Sequence, residues 1–300
     1  MIKSMDDVKR KACTGRKRIL SVAVAQDAEV LLAVNDAAKN NIVEPLLVGD
    51  KEKIEEIAKK HNIDVSSWEI QDVKVDAEAA LQAVKNVSSG KADMIMKGLV
   101  STGTFLKAVL NKEFGLRTGS LLSHVAVIES ENYHKLLAVT DAAMNIAPDL
   151  AAKMDIVKNS VKVMRALGVE LPKVACIGAV ETVNPDMPAT IDAAILSKMN
   201  ERKQITDCVV DGPLALDNAV SEEAAKHKGI VSPVAGQADI LLLPDIEAGN
   251  VLYKALVFIA KVKLAAIIVG AKAPIVLTSR ADSDETKLNS IALAAACVIE

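Results

Sequence analysis

Aromatic side chains are nearly missing from this chain: Phe, Trp and Tyr together make up 2% of 300 residues. That scarcity removes the stacking platforms on which single-stranded nucleic acids are held. A net charge of −3 gives no overall pull toward a polyanion, so an anionic ligand must be gripped by a local cluster. The four cysteines, Cys13, Cys176, Cys208 and Cys297, lie far apart with no Cys-x-x-Cys spacing. The histidines His61, His124, His134 and His227 form no spaced pair, so no metal site is expected. Cys176 and Cys208 fall in apolar runs and read as small core residues, while His61 and His227 fall at helix ends. No apolar run reaches membrane-spanning length. The stretch from Met1 to Arg18 is charged throughout, without the apolar core or cleavage site of a secretion signal. We expect a cytoplasmic protein that engages neither membrane nor nucleic acid.

The familiar nucleotide signatures are also missing. There is no G-x-x-x-x-G-K-[ST] loop and no G-x-G-x-x-G fingerprint, and no G-x-S-x-G elbow marks an α/β-hydrolase. What is present is an abundance of Ala, Val, Leu and Ile, which brings the apolar fraction to 51%. Short β-branched runs alternate with amphipathic stretches at helix spacing, beginning with strand Ile19–Ala25 and a helix from Asp27. This rhythm predicts an α/β fold: mostly parallel sheets with helices on both faces.

Two consecutive strands, Leu121–Ile128 and Lys135–Thr140, have no helix between them and break the rhythm. A second sheet can begin there. We expect a two-domain chain, residues 1–119 plus 270–300 and residues 120–269, with a cleft between the domains.

Ligands of open α/β sheets bind beyond the carboxyl ends of strands, and five polar strand ends stand out here. Lys97-Gly98 precedes Ser101-Thr102-Gly103-Thr104, which opens a helix carrying Lys107. Hydroxyls, free N–H groups and a cation there suit a phosphate, or Ser101 simply caps its helix. Asp141-Ala-Ala-Met-Asn145 follows strand Lys135–Thr140. Asp211-Gly212-Pro213 follows strand Cys208–Val210, with Asp217 placed to cap a helix Asp217–Lys228. Pro244-Asp245 follows strand Ile240–Leu243, ahead of a helix Gly249–Val262. The last unit runs from strand Ala273–Thr278 into Ser279-Arg280 and then Asp284-Glu285, opening an Ala-rich helix. A guanidinium fork and a helix start at one strand end suit an anion, with carboxylates one turn further on. The plainer alternative is a helix capped by Ser279 or Asp282 with a surface Arg.

Taken in order, these motifs resemble a known family. Lys97-Gly98…Ser101-Thr102, Arg117-Thr118-Gly119, Asp141-Ala-Ala-Met-Asn145, Asp211-Gly-Pro-Leu and Val234-Ala-Gly-Gln-Ala-Asp-Ile240 are followed by Pro244-Asp-Ile-Glu-Ala-Gly-Asn-Val251 with Tyr253-Lys254, and finally Ser279-Arg280. The series is similar to that of the phosphate acetyl/butyryltransferase family, from about Lys97 to the end, and closest in detail to its butyryl-transferring members. The resemblance implies an isocitrate-dehydrogenase-like fold of two α/β domains and a homo-oligomer. It also implies reversible transfer of a short acyl group, butanoyl above acetyl, between coenzyme A and inorganic phosphate. No cofactor is implied, because the coenzyme A thioester is itself a substrate.

Carried over by position, Ser279 and Arg280 match the family's Ser-Arg pair, and Ser101 and Thr102 its Ser-Thr pair. Lys107 stands where acetyl enzymes carry Arg. Those enzymes have acids at the seventh and eighth positions from the Ser, here Glu285 and Thr286. Glu285 is thus the expected proton acceptor, with Asp284 as runner-up. Asn145 and Asp211 are expected at the substrate. Phe105 either lines an acyl pocket or fills the core. The alternatives are a dehydrogenase of the same general fold and a two-lobed solute-binding protein.

Overall fold

The computed structural model describes residues 2–278 and 282–298. The chain divides into two compact units, Met5–Ser120 with Ala265–Glu300, and Met1–Ser4 with Leu121–Leu264.

In the unit that contains Met5–Ser120, strands β1 (Arg18–Ala23), β2 (Val43–Gly49), β3 (Glu69–Asp72), β4 (Met94–Lys97), β10 (Lys263–Val269) and β11 (Ile275–Val276) lie in the order β3-β2-β1-β4-β11-β10. All pair in parallel except β10 with β11. Strand β1 is buried on both faces, which explains its nearly continuous apolar sequence. Helices α2 (Ala28–Lys39), α3 (Lys51–Lys60) and α4 (Asp76–Ser88) connect the parallel strands, and α5 (Thr102–Val109) follows β4. Asp27 and Asp50 cap α2 and α3, each accepting a first-turn N–H. Helix α1 (Met5–Ala12) is an element the charged N-terminal sequence did not suggest. It buries Met5, Val8 and Ala12 along one stripe and packs on the last helix, α11 (Asp284–Ala296).

In the unit that contains Leu121–Leu264, strands β5 (Ser123–Glu129), β6 (Leu137–Thr140), β7 (Lys173–Ile177), β8 (Val209–Leu214) and β9 (Ile240–Leu242) lie in the order β5-β6-β9-β7-β8. The consecutive strands β5 and β6 are antiparallel; the remaining pairs are parallel. Helices α6 (Leu150–Ala166), capped by Asp149, and α7 (Pro188–Glu201) connect the parallel strands. The architecture is the expected mostly parallel α/β type.

Four local expectations change. Asp211-Gly212-Pro213 does not follow its strand but runs inside β8, where a register irregularity between Ala175 and Ile177 of β7 accommodates it. The helix expected over Asp217–Lys228 is two short ones, α8 (Leu216–Val220) and α9 (Glu222–His227). Ser221 separates them in an extended conformation and caps the second through Ala224 N–H, while Asp217 accepts its neighbour's N–H and pairs with Lys228 instead of capping a helix. The helix expected from Gly249 begins three residues earlier as α10 (Ile246–Lys254), capped by Asp245, and continues as one π-helical turn, Ala255–Ile259. Finally, α11 is capped by Ser283, whose Oγ accepts the N–H of Thr286 at 3.2 Å, and not by Ser279 or Asp282. A hydroxyl immediately before the first helical residue wins over acceptors further upstream.

Candidate active site

The strand ends of the first-described unit converge by register. Ala23 of β1 pairs with Lys97 of β4, and Met96 of β4 pairs with Val276 of β11, so three parallel strands stop at one edge of the sheet. Beyond β1 the chain turns sharply at Val24, a β-branched residue held at φ 58°. The carbonyls of Ala23 and Val24 accept the N–H groups of Gly98 (2.8 Å) and Leu99 (2.7 Å). The approach is so close that a Cβ on Gly98 would lie 2.2 Å from the Val24 oxygen. Only glycine fits there, which is the physical content of the Lys97-Gly98 motif. Lys97 turns its ammonium onto the carbonyls of Gly98 (3.1 Å) and Val100 (3.2 Å), clamping the turn from within.

This turn presents α5. Ser101 is its N-cap: the hydroxyl accepts Thr104 N–H at 3.1 Å and bonds the Thr104 hydroxyl at 2.9 Å. The capping alternative is therefore realised, and the Ser101 oxygen is engaged before any ligand arrives. Thr102 and Gly103 are exposed, and at the first two helical positions their N–H groups have no intrahelical acceptor. A Cβ on Gly103 would meet nothing within 4 Å, so space lies open at that helix end. Lys107 is exposed in the last turn. Phe105 is completely buried and belongs to the core.

Ser279 and Arg280 lie outside the described residues. Where the chain is described again, Ser283 caps α11 and Asp284 and Glu285 occupy its first turn, where negative charge complements the helix dipole. Both acids are exposed. They differ in their surroundings: Asp284 lies 4.0 Å from the ammonium of Lys287, whereas Glu285 has no ion-pair or hydrogen-bond partner among the described residues.

In the other unit, Asp141 follows β6 and Pro244 follows β9, and these strands are parallel neighbours through Thr140 and Leu242. Asp141 is buried. One carboxylate oxygen accepts the N–H groups of Ala143 (2.9 Å) and Met144 (3.0 Å), and the other accepts Asn145 Nδ2 at 2.6 Å. The same Nδ2 donates to Leu122 O at 2.9 Å, so the Asn145 amide holds its loop in place. Asn250 of α10 donates to the Ala142 carbonyl at 3.1 Å, and Gly249 lies against Asp141, whose oxygen would be 2.3 Å from an added Cβ. The Asp-Ala-Ala-Met-Asn and Pro-Asp-Ile-Glu-Ala-Gly-Asn motifs thus form one packed structure. His124 of β5 meets the ring of Tyr253 edge-on, at 5.6 Å and 84°, and its Nδ1 has no partner among the described residues. Burial holds this imidazole below its usual value against the pull of Asp141. Asp211 is half-buried within β8, away from the strand's carboxyl end.

Sequence reasoning missed Lys287, His124 and Glu29 of α2. A lysine in an amphipathic stretch reads as a surface charge, and no spacing rule marks a histidine inside a strand. Cys176 and Cys208 are buried as expected, and burial raises both thiols, Cys208 to about 11.

Two open, mostly parallel α/β units with glycine-tight turns and capped helices at their strand ends define an α/β protein of the doubly wound class. The sequence profile of the phosphate acetyl/butaryl transferase family matches residues 4–79 and 73–295. The chain belongs to that family, and the dehydrogenase and solute-binding alternatives fall away. It is 58% identical over 295 residues to a phosphate butyryltransferase of Clostridium acetobutylicum, covering 98% of each chain. It is 51% identical over 281 residues to a phosphate acetyltransferase of Thermotoga maritima, covering 94% of this chain and 95% of the other. A branched-chain phosphotransacylase structure from Enterococcus faecalis V583 superposes with a TM-score of 0.84 at 36% identity, covering 94% of this chain and 99% of that one.

Proposed function

We propose that this protein transfers a short acyl group reversibly between coenzyme A and inorganic phosphate, with butanoyl-CoA as its preferred thioester. One observation supports the reading above the others. The turns after β4 and β11, which carry Ser101-Thr102 and lead to Ser279-Arg280, leave neighbouring parallel strands at the same sheet edge. In this scheme the guanidinium of Arg280 and the open N-terminus of α5, with Thr102 and Lys107, hold phosphate. Ser279, Asn145 and Asp211 are assigned to the substrates by resemblance alone.

A phosphate oxygen attacks the thioester carbonyl, a C–O bond forms, and the C–S bond breaks with its electron pair leaving on the coenzyme A sulfur. Negative charge grows on the carbonyl oxygen, where a fixed cation stabilises it. In the reverse direction Glu285 takes the thiol proton before sulfur attacks the acyl phosphate, with Asp284 the second choice. No metal or prosthetic group enters these steps. Assembly as a homo-oligomer in the cytoplasm is part of the same proposal. No described helix is long and apolar enough to cross a membrane.

Acetyl-CoA is the second reading, favoured by the identity to an acetyltransferase. A methylene or two changes binding by only ~1–3 kcal/mol, so both chains can react at different rates. The test is thiol release from acetyl-, butanoyl- and hexanoyl-CoA with and without phosphate. Phosphate-dependent release, fastest with butanoyl-CoA, is expected; release that ignores phosphate defeats the proposal.

A further inference from the structure

Asn35 is out of place on α2. The helix turns Val30, Leu31, Ala33, Val34 and Ala37 into the core, and Asn35 is buried with them at 7% exposure. A carboxamide taken out of water must find partners or cost stability. Neither polar atom of the Asn35 side chain has a hydrogen-bond partner among the described residues. An apolar residue would avoid that loss. What Asn35 does face is a cavity of about 500 Å³, which it lines. That volume is typical of small-molecule sites. The cavity lies at the amino ends of β1 and β2: Lys17 immediately precedes β1, Glu44 begins β2 with Val43, and Trp68 immediately precedes β3. This is the sheet edge opposite the turns that follow β1 and β4.

The rest of the lining is chemically mixed. Trp68, the only tryptophan of the chain, is half-buried and contributes its indole. Lys17 and Lys39 are exposed, and neither ammonium has a partner among the described residues. Glu44 is likewise unpaired there. One oxygen of Asp64 accepts the N–H (3.0 Å) and hydroxyl (2.6 Å) of Ser66, and the other is uncommitted. Two cations and two carboxylates thus line one space without pairing with each other. Each feature suits one part of an adenine nucleotide. A carboxamide offers a donor beside an acceptor, the complement of the exocyclic amine and adjacent ring nitrogen of adenine. Indole provides a stacking face. Carboxylates accept ribose hydroxyls, and ammonium groups attract phosphate. The balanced charge of the four ionised side chains favours a monophosphate over a triphosphate.

We propose that this cavity binds adenosine monophosphate, with the base read by Asn35 and stacked on Trp68. The site is separate from the acyl-transfer chemistry and does not depend on that reading.

Because Trp68 is the sole tryptophan, its fluorescence reports on the cavity directly. Adenosine monophosphate titrated into the full chain should quench it saturably, with half the effect at or below about 1 mM. Adenosine, which lacks the phosphate, should bind roughly tenfold more weakly. Guanosine monophosphate, whose matching edge offers only acceptors, should also bind more weakly. Asn35→Ala removes an amide that has no partner, so it should unfold at or above the wild-type temperature while weakening adenosine monophosphate about tenfold. A purely structural amide would instead lower the unfolding temperature and leave binding alone. Lys39→Met should weaken adenosine monophosphate and leave adenosine within about twofold. Absence of saturable quenching below ~10 mM overturns the proposal, as does equal affinity for the two monophosphates. Equal affinity in wild type and a folded Asn35→Ala overturns it too. Should Asn35→Ala not fold, Lys39→Met decides, and an unchanged affinity for adenosine monophosphate overturns the proposal.

Discussion

Asn145 and Asp141 meet side chain to side chain, with Nδ2 of the amide 2.6 Å from a carboxylate oxygen. The carboxylate is buried and every other acceptor direction it uses goes to backbone N–H groups of its own loop. The pair therefore shapes the strand end after β6 before it can do anything for a substrate. Asn145→Ala removes one donor from this buried carboxylate, which keeps the Ala143 and Met144 N–H groups, and one from the Leu122 carbonyl, and should cost about 1–3 kcal/mol of stability. Asn145→Asp should cost more, because two carboxylates then meet. Urea unfolding at neutral pH measures both; a ranking with Asp milder than Ala contradicts the pairing.

His124 sets a pH dependence of stability. Burial holds its imidazole below the ordinary value of 6.5, with Asp141 opposing, so the folded state resists a proton that the unfolded chain accepts. Above about pH 6.5 both states are neutral and the effect is absent. As the pH falls through that value, protons bind the unfolded chain preferentially and stability drops until the folded-state value is reached. Wild type should lose stability faster than His124→Gln between about pH 6.5 and pH 5. Identical slopes in urea midpoint against pH would show that His124 does not titrate this way.

Two glycines, one in the turn after β4 and one in the first turn of α5, should respond in opposite ways. Gly98→Ala forces a Cβ to 2.2 Å from a backbone oxygen, an overlap that only backbone movement relieves. A loss of about 1–3 kcal/mol is expected, with activity falling as the turn shifts. Gly103→Ala meets nothing and removes a flexible helix residue, so it should be neutral or gain up to about 0.5–1 kcal/mol. If phosphate approaches the start of α5, this stabilised variant nevertheless loses phosphate affinity. Thermal unfolding with phosphate-dependent kinetics separates the two effects.

The cysteines offer a direct check on packing. Cys13 is exposed, whereas Cys176 and Cys208 are buried and Cys297 has its thiol pushed up to about 12 by burial. Native protein should react with an alkylating reagent fastest at Cys13, more slowly at the partly exposed Cys297, and at Cys176 and Cys208 only after unfolding. Fast native labelling of Cys176 would contradict the buried β7.

Much of this was legible in the residues. Runs such as those of β1 and β2, separated by Asp27- and Asp50-capped helices, announce parallel strands because local propensity and burial agree there. The unbroken pair β5 and β6 stood out for lacking a helix between them. The turn before α11 was harder, since Ser279, Asp282 and Ser283 compete as caps within five positions and only the packed helix selects one. Asp211 looked like a turn residue because Gly-Pro usually ends a strand; pairing with β7 carries the strand through it. Lys97 stood out only through its motif, since the Gly98 and Val100 carbonyls it holds leave no mark in a sequence. Lys287 could not be read at all, because its partners are the Asp282 carbonyl and Glu29, far away in the chain.

The most direct measurement is the rate of phosphate-dependent thiol release from butanoyl-CoA by Arg280→Ala, set beside wild type and Glu285→Gln. Removal of a donor that stabilises developing charge typically costs ~10²–10³ in rate, and that loss is expected for Arg280→Ala in a folded protein. Glu285→Gln should slow the thiol-consuming direction, with Asp284→Asn close to wild type. An Arg280→Ala protein that turns over at the wild-type rate would contradict the account.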